Sequence, residues 1–386
     1  MRLKDIVNVR NVKTDRTDLP YIALENIVSW EGTFVPTEIQ TEGTNARYYA
    51  GDVLFGKLRP YLAKAYIPDN DGICSTEFLV LKTKKELNNK FLEYYLLSPD
   101  FIGYIKNQVA GVKMPRTNWT EIGNLEVGFP GREKQDEIVA FLDEHIASIN
   151  KRIELREQER NTLVQLKHSE IYSVISRGLD SSVHLKESGI DWLGQIPEHW
   201  SLMRGKDVLR ILNGYPFDSA LFTNEECYPQ LIRIRDIDNG ETEIRYSGWY
   251  PKTHIIKDGD VLVGMDGDFN ICKWKGGFAL LNQRVCKIEG NRGIDTDYMF
   301  YCLRFPLKRL NDITNSTTVK HLSSYDIQHF ILPVPPYQEQ KAIVESIDNK
   351  LDNISKRIIN VESQIERLKN LKRSLINEVI TGKRTI

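Results

Sequence analysis

The sequence predicts an α+β fold: two strand-rich modules separated by two long helices that form an antiparallel coiled coil with approximate internal two-fold symmetry. Three observations predict it. At 386 residues the chain exceeds one ordinary domain of roughly 100 to 200 residues. It also repeats itself, with KQDEIVAFLDEHIASINKRI at 134–153 aligning with EQKAIVESIDNKLDNISKRI at 339–358, so that Lys151 falls on Lys356, 205 residues on. A period of half the chain is a duplicated module rather than a solenoid. Finally, the two parts of each repeat differ in texture, one broken by turn formers and the other free of them.

Residues 1–130 and 200–335 carry short apolar runs such as CSTEFLVL and QRVCKI between Gly, Pro, Asn and Asp, which predicts strands. Within them FLEYYLLSPDFIGYI and DYMFYCLRFPLKRL read as helices. GDVLFG at Gly51 recurs as GDVLVG at Gly259, and YIALENI at Tyr21 is echoed by LIRIRDI at Leu231. Residues 134–177 and 339–381 contain neither Pro nor Gly and are rich in Glu, Lys, Arg, Leu and Ile, so each is predicted to be one long helix.

In the second helix Ile347, Leu351, Ile354, Ile358, Val361, Ile365, Leu368, Leu375 and Val379 alternate at steps of four and three, with Lys372 in the one missing place. That is a coiled-coil seam. The first helix keeps it at Leu142, Ile146, Ile149 and Ile153, then sets Arg156 and Arg160 on the seam before Leu163, where they would fix register or pair across to glutamates. Helices of this size span ~60 Å, longer than a small domain is wide, which favours packing on each other. The boundaries expected are 1–132 for the first module, 133–178 for the first helix, 179–336 for a lead-in segment with the second module, and 337–386 for the second helix.

Charge gives no global reason to expect nucleic acid: 52 basic residues balance 53 acidic ones, net −1, so any such contact must be local. The five cysteines lack CxxC spacing, which argues against a zinc site and predicts reduced, partly buried thiols. No apolar segment follows Met1 and no run of about 18 apolar residues occurs, which predicts a cytoplasmic chain.

Catalytic motifs fail in turn. VPPYQEQ lacks the polar residue before PP that grips an amino group in amino-methyltransferases, since Val334 stands there; the prolines read as a stop before the second helix. GMDGDF lacks the flanks of a nucleotide-binding loop and reads as a turn, and Asp266 and Asp268 lack the partners of a nuclease metal site. No Ser or Cys stands in a nucleophile elbow. Binding, rather than chemistry, is expected.

ESGIDWLGQIPEHW, GDVLFGKLRPYLAK, GDVLVGMDGDFN with ALLNQRV, and the helix openings REKQDEI and YQEQKAI together resemble the specificity subunits of type I restriction-modification enzymes, over nearly the whole chain. The resemblance implies a non-catalytic reader of double-stranded DNA with two target-recognition domains, one per half-site, and a helical spacer that sets the gap. It further implies two modification (methyltransferase) subunits holding S-adenosylmethionine, and restriction subunits using ATP, with no cofactor or metal on this chain.

Under that resemblance the candidate DNA contacts fall in polar loops. GKLRPYLAK places Lys57, Arg59 and Lys64 around a Pro-stiffened turn with Tyr61 between them. Ser75, Thr76 and Glu77 suit base edges, with Glu77 equally suited to pair with Arg59; VKMPRTNW offers Lys113, Arg116 and Asn118. The second module replaces the cations with Asp266, Asp268 and Asn270, and adds Asn282, Gln283 and Arg284, with Arg233, Arg235, Lys320 and His321 in support. Arg and Lys suit guanine, Asn and Gln adenine, and Asp cytosine N4. Phosphate anchoring is equally open to the cations, a solvated turn to the aspartates, and bridges to carboxylates to the arginines.

A self-contained methyltransferase or nuclease with fused readers is the alternative, separable by S-adenosylmethionine binding of the purified chain. A protein-binding scaffold is another, separable by DNA protection together with a modification subunit. GIDWLGQIPEHW (189–200) occurs once, just before MRGKDVL, whose counterpart MRLKDIV begins at Met1. Its bulky apolar residues predict a lead-in that anchors the second module against the preceding helix. By the same reading the first module starts short and rests less firmly on the helices.

Overall fold

The computed structural model describes all residues except 38–42, 109–113, 238–241 and 315–320. The chain forms two compact units, Met1–Arg160 with Asn360–Ile386, and Asn161–Ile359. Each holds one strand-rich module and a stretch of both long helices.

In the first unit the central sheet runs in the order Val7–Val9, Phe78–Thr83, Val53–Gly56, Ala65–Tyr66, all antiparallel. Val53, Leu54 and Phe55 are all buried because both faces of the sheet are covered. Leu54, Phe78 and Val80 face a second sheet, packing with Ile22, Tyr48 and Cys74. Phe55 points the other way, its ring 5.6 Å from that of Phe101. The second unit repeats this scheme: Leu209–Asn213, Val285–Gly290, Val261–Gly264 and Ile271–Lys273 form its central sheet. Val261, Val263, Cys286 and Ile288 pack with Tyr298, Met299 and Cys302. Leu262 and Val285 pack with Ile232, Trp274 and Leu281 on the other face.

The predicted helix FLEYYLLSPDFIGYI is two, Asn89–Leu96 and Pro99–Gln108. Pro99 has no N–H to donate and pushes Ser98 out of the helical region. Thr296–Thr314 stays continuous, with Pro306 inside it.

The long helices span Arg132–Arg177 and Tyr337–Ile380. Gly178 stops the first in a left-handed conformation (φ 74°), which a side chain would strain. In the first unit they run antiparallel: Lys134 Nζ donates to the Ile386 carbonyl (3.2 Å) and Lys372 Nζ to Asn150 Oδ1 (3.0 Å). In the second, Lys350 Nζ donates to Glu170 (2.7 Å), and Ile171, Val174 and Ile175 pack with Ile343, Val344 and Ile347. The predicted seam is buried at Leu142, Ile146, Ile149, Ile153 and Leu163, and at Ile347, Ile354, Val361, Ile365, Leu368, Leu375 and Val379. Arg156 departs from it: it is exposed and pairs with Glu159 one turn along its own helix (2.5 Å). Lys372 keeps its place, buried against Glu31 and Asn150.

Each long helix is keyed to its module by a buried glutamine in its first turn. Gln135 Oε1 accepts from the Asn88 N–H (2.8 Å) while its amide donates to the Pro130 and Glu86 carbonyls. Gln340 does the same for the Asp295 N–H (2.8 Å) and the Pro335 carbonyl (2.9 Å). Two turns on, Asp143 accepts from the Tyr94 hydroxyl and Asp348 from that of Tyr301. The lead-in 189–200 buries Leu193, Ile196 and Trp200 among Ile171, Val174, Ile175 and Ile343. Trp200 Nε1 donates to Glu339 (3.0 Å), and Trp192 stacks parallel to Phe305.

Candidate nucleic-acid interface

Three loops meet beyond one end of the first unit's central sheet. Gly56 and Phe78 are the last paired residues of adjacent strands, so the segments that continue from them stay side by side. The Lys57 N–H donates to the Glu77 carbonyl (2.7 Å), the Thr117 N–H to the Lys57 carbonyl (3.1 Å) and the Arg59 N–H to the Pro115 carbonyl (2.8 Å). Leu58 bridges to Arg116. These bonds hold Arg59 in the left-handed region (φ 48°), a strained conformation for a non-glycine that presents its exposed side chain at the turn before Pro60.

The second unit makes the same frame. Gly264 pairs with Val285, the Met265 N–H donates to the Arg284 carbonyl (3.0 Å), the Leu322 N–H donates to the Met265 carbonyl (2.7 Å), and Asp266 bridges to His321. Leu58, Glu77 and Arg116 therefore correspond to Asp266, Arg284 and His321. In the first unit Arg116 donates to Glu77 (3.0 Å). In the second, Arg284 and His321 both reach Asp266, at 2.5 and 2.7 Å. Within one scaffold the guanidinium of Arg284 stands where the first cluster has the Glu77 carboxylate, the carboxylate has moved to the position of Leu58, and His321 replaces Arg116. Burial alone would raise the Asp266 pKa, but hydrogen bonds from His321 and Arg284 outweigh it and hold the carboxyl below its ordinary range.

The remaining candidates divide by what already holds them. Lys64 Nζ donates to the Leu24 carbonyl (2.6 Å), Ser75 Oγ accepts from the Glu77 N–H (3.2 Å), and Asn118 caps the helix Trp119–Gly123 by accepting from the Glu121 N–H (3.0 Å). Arg233 makes a two-pronged bridge to Asp236 (3.0 Å at each prong). Asn282 is buried, its side-chain oxygen accepting from the Gln283 N–H (2.8 Å). Lys57 is half-buried; Tyr61, Thr76, Arg235, Asn270 and Gln283 are exposed, as are Arg116, Arg284 and His321. Lys113 and Lys320 lie outside the described residues. Glu77 pairs with Arg116 rather than with Arg59. Of the proposed readers, Arg59, Tyr61, Thr76 and Arg116 share the first end, and Asp266, Gln283, Arg284 and His321 the second.

Among the described residues, no three His, Cys, Asp or Glu side chains are placed to hold a metal ion, and no helix is long and apolar enough to cross a membrane. All five cysteines are unbridged, with Cys74, Cys286 and Cys302 buried.

Two copies of one strand-rich module, each keyed to a long helix and each carrying a polar loop cluster, define a tandem-module binding protein. The chain belongs to the type I restriction modification DNA specificity domain family, whose model matches residues 1–159 and 197–366. It is 38% identical over 206 residues to the EcoBI type I restriction enzyme specificity subunit of Escherichia coli, covering 53% of this chain and 44% of that protein's length. It is 24% identical over 362 residues to the MjaVIII specificity subunit of Methanocaldococcus jannaschii, covering 89% of this chain and 77% of the relative. In fold it matches a chain from a structure described as the complex assembly and conformational transition of the type I R-M system, with a TM-score of 0.73, 18% identity and coverage of 100% and 97%.

Proposed function

We propose that this chain is the DNA sequence-specificity subunit of a type I restriction-modification complex. Each loop cluster reads one half of a bipartite site in double-stranded DNA, and the paired helices act as the ruler that sets the unread gap. Two modification subunits dock on the chain and supply S-adenosylmethionine and adenine methylation, restriction subunits join through them with ATP, and this chain supplies no catalytic group.

The rearrangement of charge over three corresponding positions of the two loop clusters carries the reading. A scaffold conserved down to its backbone hydrogen bonds, yet presenting Leu58, Glu77 and Arg116 in one copy and Asp266, Arg284 and His321 in the other, is what two different half-sites demand. Arginine suits guanine O6 and N7 in the major groove, and a fixed carboxylate beside it limits its rotamers and so its register. The near-zero net charge of the chain is consistent with this division, because phosphate neutralisation is shared with partner subunits while base contacts sit here. Methylation by the chain with its modification subunits, before and after Arg284→Ala, tests it: the variant should assemble normally and lose recognition of one half-site. Full methylation at an unchanged site would remove Arg284 from the reading set.

A further inference from the structure

The second unit contains a cavity of about 800 Å³ between the turn at 268–270, the helix Thr296–Thr314 and the first long helix. His168 on the long helix and Arg304 and Lys308, one turn apart on the shorter one, line it together, with Lys167 beside them on the long helix; Lys273 and Lys275 and the carboxylates Asp268, Asp312 and Asp348 complete its charged lining. Arg304 lies 4.4 Å from the Phe300 ring centre, and its buried Nε has no hydrogen-bond partner. Among the described residues Lys167, His168, Arg304 and Lys308 form no ion pair with a carboxylate, whereas Lys273 is paired with Asp297 and Asp348 takes the Tyr301 hydroxyl. Burial pushes the guanidinium and the Lys167 ammonium down from their ordinary ranges, and burial followed by Lys308, Arg304 and Lys167 does the same to His168. Concentrated, part-desolvated positive charge of this kind is costly without an anion.

The first unit shows what fills the corresponding place. LVQLKHS at 163–169 aligns with LKNLKRS at 368–374, setting Lys167 on Lys372 and His168 on Arg373. There the ammonium of Lys372 is met by the Glu31 carboxylate and the guanidinium of Arg373 lies 5.0 Å from the Trp30 ring centre, so an aromatic-acidic pair covers the two cations. Where the second unit has Arg304 and Lys308, the first has buried Leu97 and Phe101, by the alignment that sets Tyr94 on Tyr301. At this place the first unit covers its two cations from within the chain, and the second carries two additional cations.

We infer that the cavity lined by His168, Arg304 and Lys308, with Lys167 beside it, is an anchor site for an acidic side chain of a partner protein, presented beside an aromatic or apolar residue as Glu31 is beside Trp30. A carboxylate on a protein segment enters a recess and takes the two-pronged edge of a guanidinium stacked on Phe300. Duplex phosphates lie on a convex rod and suit an open basic stripe instead. The inference rests on the proposed function in taking that partner to be the modification subunit.

The test measures assembly of the full chain with its modification subunit by calorimetry, for wild type, Arg304→Ala with Lys308→Ala, and the surface pair His168→Gln with Lys308→Gln, which spares the packing on Phe300. The Arg304 variant should weaken assembly about thirty-fold, the surface pair should weaken it in the same direction, and Arg284→Ala should leave it unchanged. Unchanged assembly in both cation variants overturns the inference. So does normal assembly with a DNA affinity whose salt dependence falls by about one ion per cation removed, which would make the cavity a phosphate seat. Failure of the wild-type chain to bind any modification subunit would remove the proposed function and the inference with it.

Discussion

The guanidinium of Arg284 donates to the Asp266 carboxylate at 2.5 Å, and the His321 ring nitrogen meets the other oxygen of the same carboxylate at 2.7 Å. The carboxylate restrains the Arg284 side chain, so that under the proposed function it would meet a base from a fixed position. Because the Asp266 carboxyl is held below its ordinary range, it contributes stability that is fully present above the unfolded value of 3.8 and is lost as pH falls through the lower folded value. Asp266→Asn should therefore destabilise the chain at pH 6, with the difference from wild type shrinking below about pH 4. Urea unfolding across that range checks it; a difference independent of pH would show that the ion pair contributes nothing.

Gln340 satisfies two buried backbone groups from different elements, the Asp295 N–H and the Pro335 carbonyl, from a side chain only 1% exposed. Gln340→Ala strands both and should cost roughly 2 to 4 kcal/mol. Gln135→Ala should behave alike through Asn88 and Pro130. Chemical denaturation of each single variant measures this, and a loss below about 0.5 kcal/mol would mean that water replaces the amide.

Lys372 is buried while its partner Glu31 is about a quarter exposed. Removing the carboxylate leaves a charge in the helix seam, whereas removing the ammonium leaves a carboxylate that water can reach. Glu31→Ala should cost about 3 kcal/mol or more, and Lys372→Met under about 1 kcal/mol. Equal losses in thermal unfolding would show that the seam lysine is not stabilised by Glu31.

Burial pushes the Cys74 and Cys286 thiols up to about 12, leaving almost no thiolate near neutrality, while Cys227 is exposed. Iodoacetamide at pH 8 should label Cys227 first and reach Cys74 and Cys286 only on unfolding. Mass spectrometry of native and denatured samples distinguishes the order; early labelling of Cys286 would show that the central sheet of the second unit opens.

Much of this architecture is legible in the residues because it rests on periodicity and on glycine and proline. The seam from Ile347 to Val379, the stop at Pro335 and Pro336, and the turn at Asp266–Gly267 all follow from local rules. What is not legible are pairings made across sequence distance. Glu31 meets Lys372 through folding alone, and nothing local to Lys64 shows that the Leu24 carbonyl already occupies it; Ser75 and Asn118, by contrast, hold backbone N–H groups two and three residues on, a turn and a helix cap that local rules do specify. Arg156 differs for a local reason: its heptad position points inward, but Glu159 one turn along the same helix draws it along the surface. The shift of the carboxylate from the Glu77 position to that of Leu58, with Arg284 in its former place, becomes visible only when Leu58 and Asp266 are placed by the strands that precede them.

The central claim is that two differently charged loop clusters read two half-sites at a spacing fixed by the helices. Methylome sequencing of cells carrying this chain with its modification subunits measures that directly, for wild type, Arg59→Ala, Arg284→Ala and a deletion of one heptad from both helices. The wild type should methylate one bipartite motif, each arginine variant should lose a different half of it, and the heptad deletion should change only the gap. An identical motif and gap in all four would contradict the account.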